Sequence, residues 1–352
     1  MAAPLVSVCM ASYNHAPFIR AAVESVLAQT VTDWELVITD DGSRDGTIAA
    51  LDGIGDDRVK VEAFPENRSA CVALNHCVRR ARGRFIAVLN SDDAWMPEKL
   101  ARQLAVMEAE PATAAVFTTA AIIDERGAGL PADHPLAQTF NQPDRDRADW
   151  LRRLLLQGNC LCHPSVLVRA DVYREVGLYD ECMAQLPDLD MWIRICLRHD
   201  IRVIQEPLTL FRLLDRERNA SGNRPEVRVR CALENMLIAV KAFRDRPAEL
   251  AAVLRTGPAR AAGTESSPGG ALADLLDGAG VAPLPVGMEA GQLLWMYEQL
   301  AGTGDWRACK QFIARTGERD AFGVRQRETL EAQTAASPRK PRWWQRLTRR
   351  RR

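Results

Sequence analysis

Val88-Leu89-Asn90-Ser91-Asp92-Asp93-Ala94-Trp95 is the stretch that decides the fold. It completes an apolar run, Phe85-Ile86-Ala87-Val88-Leu89, that stops at two adjacent carboxylates. A short apolar run bounded by polar residues is the pattern of a buried strand. In open α/β sheets, ligands bind just beyond the carboxyl ends of such strands. Asp92 and Asp93 are therefore expected on a strand-end loop facing a cleft. Paired carboxylates there are hard oxygen ligands, suited to a divalent cation that also holds phosphates. The plainer explanations are a cap for the helix after Pro97, or two solvated turn acids. This stretch alone does not separate them.

Outward from it, strands and helices alternate. Leu5–Met10 is a strand candidate, followed by the polar loop Ala11–Pro17 and helical spacing over Phe18–Ala28. Trp34–Thr39 is a second strand, and Asp40-Asp41-Gly42-Ser43-Arg44-Asp45-Gly46-Thr47 after it is dense in turn-forming residues. Val59–Ala63 and Arg84–Leu89 are further strands, separated by a helix over Ala70–Ala81. A helix starting at Pro97 runs to about Glu110, and Ala114–Ile123 is a fifth strand. This alternation with short connections predicts an α/β fold with a mostly parallel central sheet. Less regular sequence follows. It contains helical spacing over Arg147–Leu156, Asp171–Val176, Leu189–His199 and Pro225–Phe243, and short strands at Ser165–Val168 and Ile201–Gln205.

The chain has 352 residues, 47% of them apolar, enough for a substantial core and an appendage. Its formal net charge is +0, but the charge is unevenly spread. Arg339 to Arg352 hold eight basic residues and no acid; without them, 38 basic residues face 46 acidic ones, a net charge of −8. The acidic body argues against nucleic acid as a partner. Nine cysteines are scattered singly, which fits no disulfide framework and suits a reducing cytoplasm. Cys160, Cys162 and His163 lack a second ligand pair at zinc-site spacing. Met1–Met10 lacks a charged leader and a cleavage site, and no run approaches the roughly 18 apolar residues of a spanning helix.

Composition divides the chain into 4–224, a helical extension over 225–333 that contains a Gly/Pro/Ala-rich linker at 257–287, and a basic, tryptophan-containing tail at 334–352. Helical spacing returns over Met288–Leu300 and Trp306–Arg315.

Three acidic clusters, Asp40-Asp41, Asp92-Asp93 and Asp188-Leu189-Asp190, each lie near a strand end or helix start. The strands before the first two are expected side by side, so that their acids converge on one ligand. With these clusters in place, the chain from about Val6 to about Ser221 resembles the family 2 glycosyltransferases of GT-A fold. The resemblance rests on ordered motifs: Val8-Cys9-Met10-Ala11-Ser12-Tyr13-Asn14; Val37-Ile38-Thr39-Asp40-Asp41-Gly42-Ser43; Glu66-Asn67-Arg68-Ser69 with Ala73-Leu74-Asn75; Ala81-Arg82-Gly83-Arg84-Phe85-Ile86; Val176-Gly177-Leu178-Tyr179-Asp180-Glu181; and Asp188-Leu189-Asp190-Met191-Trp192-Ile193-Arg194.

The resemblance implies inverting, metal-dependent transfer of a sugar from a nucleotide-sugar donor, a UDP-sugar by preference, to an acceptor hydroxyl in surface or lipid-linked glycan synthesis. It assigns the donor to Ser12, Tyr13, Asn14, Asp40, Asp41, Arg68, Asn90, Ser91 and Asp92. The Tyr13 ring suits base stacking, Asp40 an imide N–H, and Arg68 the base or a phosphate. Asn90-Ser91-Asp92 occupies the family's D-x-D motif; Asp92 is the expected ligand of Mn2+ or Mg2+, Asn90 the ribose contact, and Asp93 a bystander to the metal, either supporting the site from behind or starting a helix. Asp188 is the expected general base, with Asp190 the second candidate, although Pro187 stands where the family has an acid. Asp188 is also a natural helix N-cap, and capping and catalysis are compatible. Trp95 and Trp192 are expected in the core, and Arg212 near the diphosphate. No Q-x-x-R-W follows Arg212, so a processive synthase is not indicated.

Leu5–Pro17 has no Gly-rich phosphate loop with a basic residue, which argues against a nucleotidyltransferase. A catalytically silent relative that binds nucleotide sugar or glycan is the other reading, kept open by Asn90 and Pro187. The mix of Arg, Lys, Trp343 and Trp344 in 339–352 suits an anionic membrane surface, and equally a solvated tail. The expected location is the cytoplasm, with the tail offering a peripheral place at the inner face of the membrane.

Overall fold

The computed structural model describes residues 3–215, 219, 222, 224–246, 249–250, 252–253, 297–301 and 303–318. One eight-stranded sheet organises them. Its strands are β1 (Val6–Ser12), β2 (Trp34–Asp40), β3 (Val59–Ala63), β4 (Phe85–Val88), β5 (Ala94–Trp95), β6 (Thr113–Ile123), β7 (Leu167–Arg169) and β8 (Asp200–Arg212), in the spatial order β3-β2-β1-β4-β7-β6-β8-β5. Pairing is parallel for β3-β2-β1-β4 and for β6-β8; β7 runs antiparallel to β4 and β6, and β5 antiparallel to β8.

The inner parallel strands β1, β2 and β4 are buried on both faces, as apolar runs require, while β3 at the sheet edge is largely exposed. Alternate side chains feed two cores. Val6, Val8, Met10, Phe85, Ala87 and Leu89 pack on one side with helices α1 (Ile19–Leu27) and α3 (Lys99–Ala109). Cys9, Ile86 and Val88 point to the other side, where α2 (Ala70–Arg80), α5 (Arg147–Gln157), α7 (Pro187–Cys196) and α8 (Pro225–Asp245) supply Leu74, Leu154, Trp192 and Leu237. Two short helices, α4 (Pro135–Phe140) and α6 (Ala170–Val176), complete the body. Helix α9 (Trp306–Glu318) adds Cys309 and Phe312 to the second core.

Two expectations need correction. β2 and β4 are not neighbours: β1 lies between them and pairs with both. The strand order turns between β1 and β4, so the loop after β1 separates the Asp40 and Asp92 clusters and touches each. The strand at Ile201–Gln205 also runs on to Arg212, through an irregularity at which Thr119 pairs with Pro207. Trp95 and Trp192 are core residues, at 3% and 1% exposure. Among the described residues no helix is long and apolar enough to cross a membrane. The linker at 257–287, the helical spacing at 288–296 and the tail at 334–352 lie outside the described residues.

Candidate active site

The carboxyl ends of β1, β2 and β4 meet at one side of the sheet. Asp40 closes β2 and is buried. Ser12 Oγ donates to its Oδ2 (2.8 Å), Ser43 N to Oδ1 (2.8 Å) and Ser43 Oγ to Oδ2 (2.6 Å). Asp41 turns the other way. It accepts from Arg68 N (2.6 Å), Asn67 Nδ2 (2.8 Å) and Ser69 N (3.0 Å), and so suspends the 66–69 loop. Burial pushes its pKa up while those donors pull it down. Gly42 between the two segments has φ +75°, and a Cβ there would lie 2.6 Å from the Glu66 carbonyl carbon. Only glycine fits that approach.

The loop after β1 ties this corner to the 90–93 loop. Asn14, in a left-handed conformation (φ 51°), donates from N to Ser43 Oγ (2.8 Å) and accepts from Arg44 N (2.9 Å). Tyr13 beside it is exposed. One residue on, His15 N donates to Thr47 Oγ1 (2.9 Å), and His15 Nδ1 lies 2.8 Å from Ser91 Oγ. A continuous set of contacts thus runs from Asp40 through Ser43, Asn14 and His15 to Ser91.

Asp92 and Asp93 have different environments. Asp93 is no bystander. Its Oδ1 accepts from Arg212 N (2.7 Å) and its Oδ2 from Asn90 Nδ2 (2.9 Å), stitching the loop after β4 to the end of β8. Burial, then the neighbouring Asp92, push its pKa well up. Arg212 reinforces the stitch, with Nε on Asp92 O (2.7 Å) and Nη1 on the Asp124 and Glu125 carbonyls. The Asp92 carboxylate takes no side-chain hydrogen bond among the described residues. Burial raises its pKa, and His15 and Arg212 oppose the rise. Among the described residues no three His, Cys, Asp or Glu side chains converge on a metal position. One buried carboxylate that takes no side-chain donor fits a hard divalent cation that takes its other ligands from a diphosphate and water.

Asp188 belongs to a separate set of contacts. Pro187 and Asp188 are the first two residues of α7, so Leu186, not Asp188, is the N-cap, and Asp188 lies two positions past it. Pro at the first helical position costs no hydrogen bond. The preceding amides are satisfied from α8: Glu234 accepts from the N–H groups of Ala184 (2.9 Å), Gln185 (2.9 Å) and Leu186 (2.7 Å). Asp188 Oδ2 accepts from Asn159 Nδ2 (2.6 Å), and Oδ1 from Leu189 N (2.8 Å). Burial pushes its pKa to about 6 in spite of those donors. Asp190 is fully buried and paired twice, with Arg194 (2.8 Å) and Lys241 (2.7 Å). It locks α7 to α8. His163 Nε2 lies 3.0 Å from Tyr179 OH, and burial depresses its pKa to about 4.

Arg68 does not point freely toward a base. Its guanidinium lies over Phe64 (4.2 Å) and faces Trp306 of α9 (5.4 Å). The roles of His15, Asn159 and Glu234 were not anticipated from the sequence. His15 alone was within reach, since it follows Tyr13-Asn14 in a strand-end loop; Asn159 and Glu234 act on residues 29 or more positions away.

Residues 7–177 match the glycosyl transferase family 2 model. Over 199 residues the chain is 30% identical to a protein named putative glycosyltransferase EpsE of Bacillus subtilis, covering 54% of this chain and 66% of that one. Over 103 residues it is 42% identical to UDP-Glc:alpha-D-GlcNAc-diphosphoundecaprenol beta-1,3-glucosyltransferase WfgD of Escherichia coli, covering 29% of this chain and 41% of that one. The chain thus spans less than two thirds of each of these relatives. S. aureus TarS 1-349, solved in complex with UDP-GlcNAc, superposes with a TM-score of 0.56 at 17% identity, over 91% of both chains, a likeness of fold. The matched domain, the ordered motifs at the strand ends and the GT-A sheet agree, and residues 7–177 are a family 2 glycosyltransferase domain.

Proposed function

We propose that the protein transfers a sugar from a UDP-sugar to an acceptor hydroxyl, with inversion at the anomeric carbon and without processive extension. The observation that carries this reading is the contact set from Asp40 through Ser43, Asn14 and His15 to Ser91, the residue before Asp92, at the turn of the strand order. A nucleotide laid along it meets Tyr13 and Asp40 at the base end and Asn90, Ser91 and Asp92 at the ribose and diphosphate end. Asp40 accepts the base imide N–H: its Oδ1 receives one hydrogen bond, from Ser43 N, and keeps a lone pair.

Asp188 is the general base. With a pKa of about 6 it is ionised at neutral pH, yet basic enough to take the acceptor's proton as the hydroxyl attacks. Asn159 holds the carboxylate oriented. In-line attack opposite the leaving diphosphate inverts the centre in one step, with no enzyme nucleophile. Asp190, already committed to Arg194 and Lys241, is a positioning residue. Asp92 would hold Mn2+ or Mg2+, which, when bound, neutralises charge on the departing diphosphate. WfgD is named for a diphosphoundecaprenol acceptor, and a lipid-linked acceptor suits the basic, tryptophan-containing residues 339–352 as an anchor to the anionic inner face of a membrane.

Incubation with Mn2+ and a panel of nucleotide sugars tests the reaction. Slow release of UDP from one donor supports it. Donor binding with no hydrolysis and no transfer to any acceptor favours the silent relative that Asn90 and Pro187 allow. For the tail, equal sedimentation of full-length and Arg339-truncated protein with anionic liposomes would remove the membrane role.

A further inference from the structure

We propose that Cys182 and Cys309 are a disulfide-forming pair that can covalently tie α9 to the segment carrying Asp188. The two sulfurs lie 2.8 Å apart, 127 residues apart in sequence, and both residues are buried. Among the described residues no other two cysteines are in sulfur–sulfur contact; Cys71 and Cys77 donate to backbone carbonyls, and Cys160 accepts from Arg153. A disulfide needs about 2.05 Å between sulfurs, so closure asks for a sub-ångström approach of two side chains. The Cys182 thiol donates to Cys309, which stabilises the Cys309 thiolate and makes it the nucleophile.

The pair sits where α9 spans two loops of the site. On one side Tyr297, just before α9, donates to Asp180 (2.6 Å), two residues from Cys182. On the other, Lys310 donates to the Asn67 carbonyl (2.5 Å), Arg307 pairs with Glu66 (2.7 Å), and Trp306 faces Arg68. The Lys310 and Arg307 contacts are exposed and polar, and salt and solvent weaken them. A covalent bond at Cys309 would fix α9 over both loops regardless.

The exchange balances with a small disulfide such as oxidised glutathione as oxidant. The Cys309 thiolate attacks one of its sulfurs and releases one glutathione thiolate. Cys182 gives up its proton and attacks the Cys309 sulfur of the mixed disulfide, releasing the second. Two protein thiols are oxidised and one small disulfide is reduced to two thiols. Both sulfurs are buried, so the reagent enters when α9 lifts, and the rate follows that local opening.

The test uses the reduced full-length protein, treated with oxidised glutathione, digested without reductant and mapped by mass spectrometry; it does not depend on any activity. The expected product has lost two hydrogens and yields one linked peptide pair containing Cys182 and Cys309, restored by dithiothreitol. Hydrogen exchange over 306–314 slows roughly tenfold or more in the oxidised form. Cys309→Ser abolishes both effects and Cys231→Ser leaves both. Glutathione adducts without a linked pair, a link that uses other cysteines, or unchanged exchange in α9 after linkage would each overturn the proposal.

Discussion

Asn159 Nδ2 donates to Asp188 Oδ2 at 2.6 Å, across 29 residues of sequence. The bond favours the ionised carboxylate, against burial that lifts its pKa to about 6. A general base must be ionised, so transfer should fall as the pH drops through about 6 and level off above it. Asn159→Ala removes a charge-assisted bond of roughly 1.5–3 kcal/mol. The acid limb of kcat should then move to higher pH, and transfer at pH 6 should drop roughly tenfold or more. An unshifted limb in the pH–rate profile would separate Asp188 from that titration.

Asp188→Asn keeps the shape of the side chain and removes the proton acceptor. Donor affinity, measured by calorimetry, should stay within a few-fold, while transfer falls by roughly 10²–10⁴. Transfer at the normal rate would mean that the base lies elsewhere.

Asp92→Ala should separate metal from nucleotide. With donor and Mn2+ at about a hundred times Kd, the unmodified protein gains roughly 2.7 kcal/mol of stability. The variant should lose the part of that gain that depends on Mn2+, seen as a smaller rise in melting temperature. A metal-dependent rise of equal size in the variant would take the ion away from Asp92.

Asp93→Ala should act on stability first. It strips an acceptor from the Arg212 amide and from Asn90 in a buried corner. A buried donor without a partner costs about 1–3 kcal/mol, so urea unfolding should show a loss of about 3 kcal/mol. A loss below about 0.5 kcal/mol, the ordinary effect at an exposed site, would restore Asp93 to the role of a bystander.

β2 and β4 were legible because each is an apolar run leading into turn-forming acids, and β1 because its apolar run stops at the polar Ser12-Tyr13-Asn14. β5 was not, since Ala94–Trp95 is too short to show a period. The far half of β8 was hidden behind Glu206-Pro207, which resembles a stop; the irregularity against Thr119 lets the strand continue. Asp40 and Asp92 stood out by position alone. What Asp93 and Asp190 do could not be seen, because their partners Arg212 and Lys241 are 119 and 51 positions away and are charges among many. Arg68 was expected at the base, and the aromatic partner that engages it, Trp306, comes from a helix 238 residues later.

The cradle that Glu234 makes for three amides redraws the boundary of the working unit. The matched family region stops at residue 177, before α7 and β8. A protein shortened to that point would bare the long edge of β6 that β8 covers, an invitation to aggregation. One shortened to 224 would keep its sheet but leave Ala184, Gln185 and Leu186 without their acceptor. The loop that delivers Asp188 would then lose its footing while the nucleotide corner stayed intact. On the proposed roles, the residues for the donor and those that steady the acceptor side belong to different stretches of chain, and a shortened protein that keeps only the first would be equipped to bind a nucleotide sugar without delivering it.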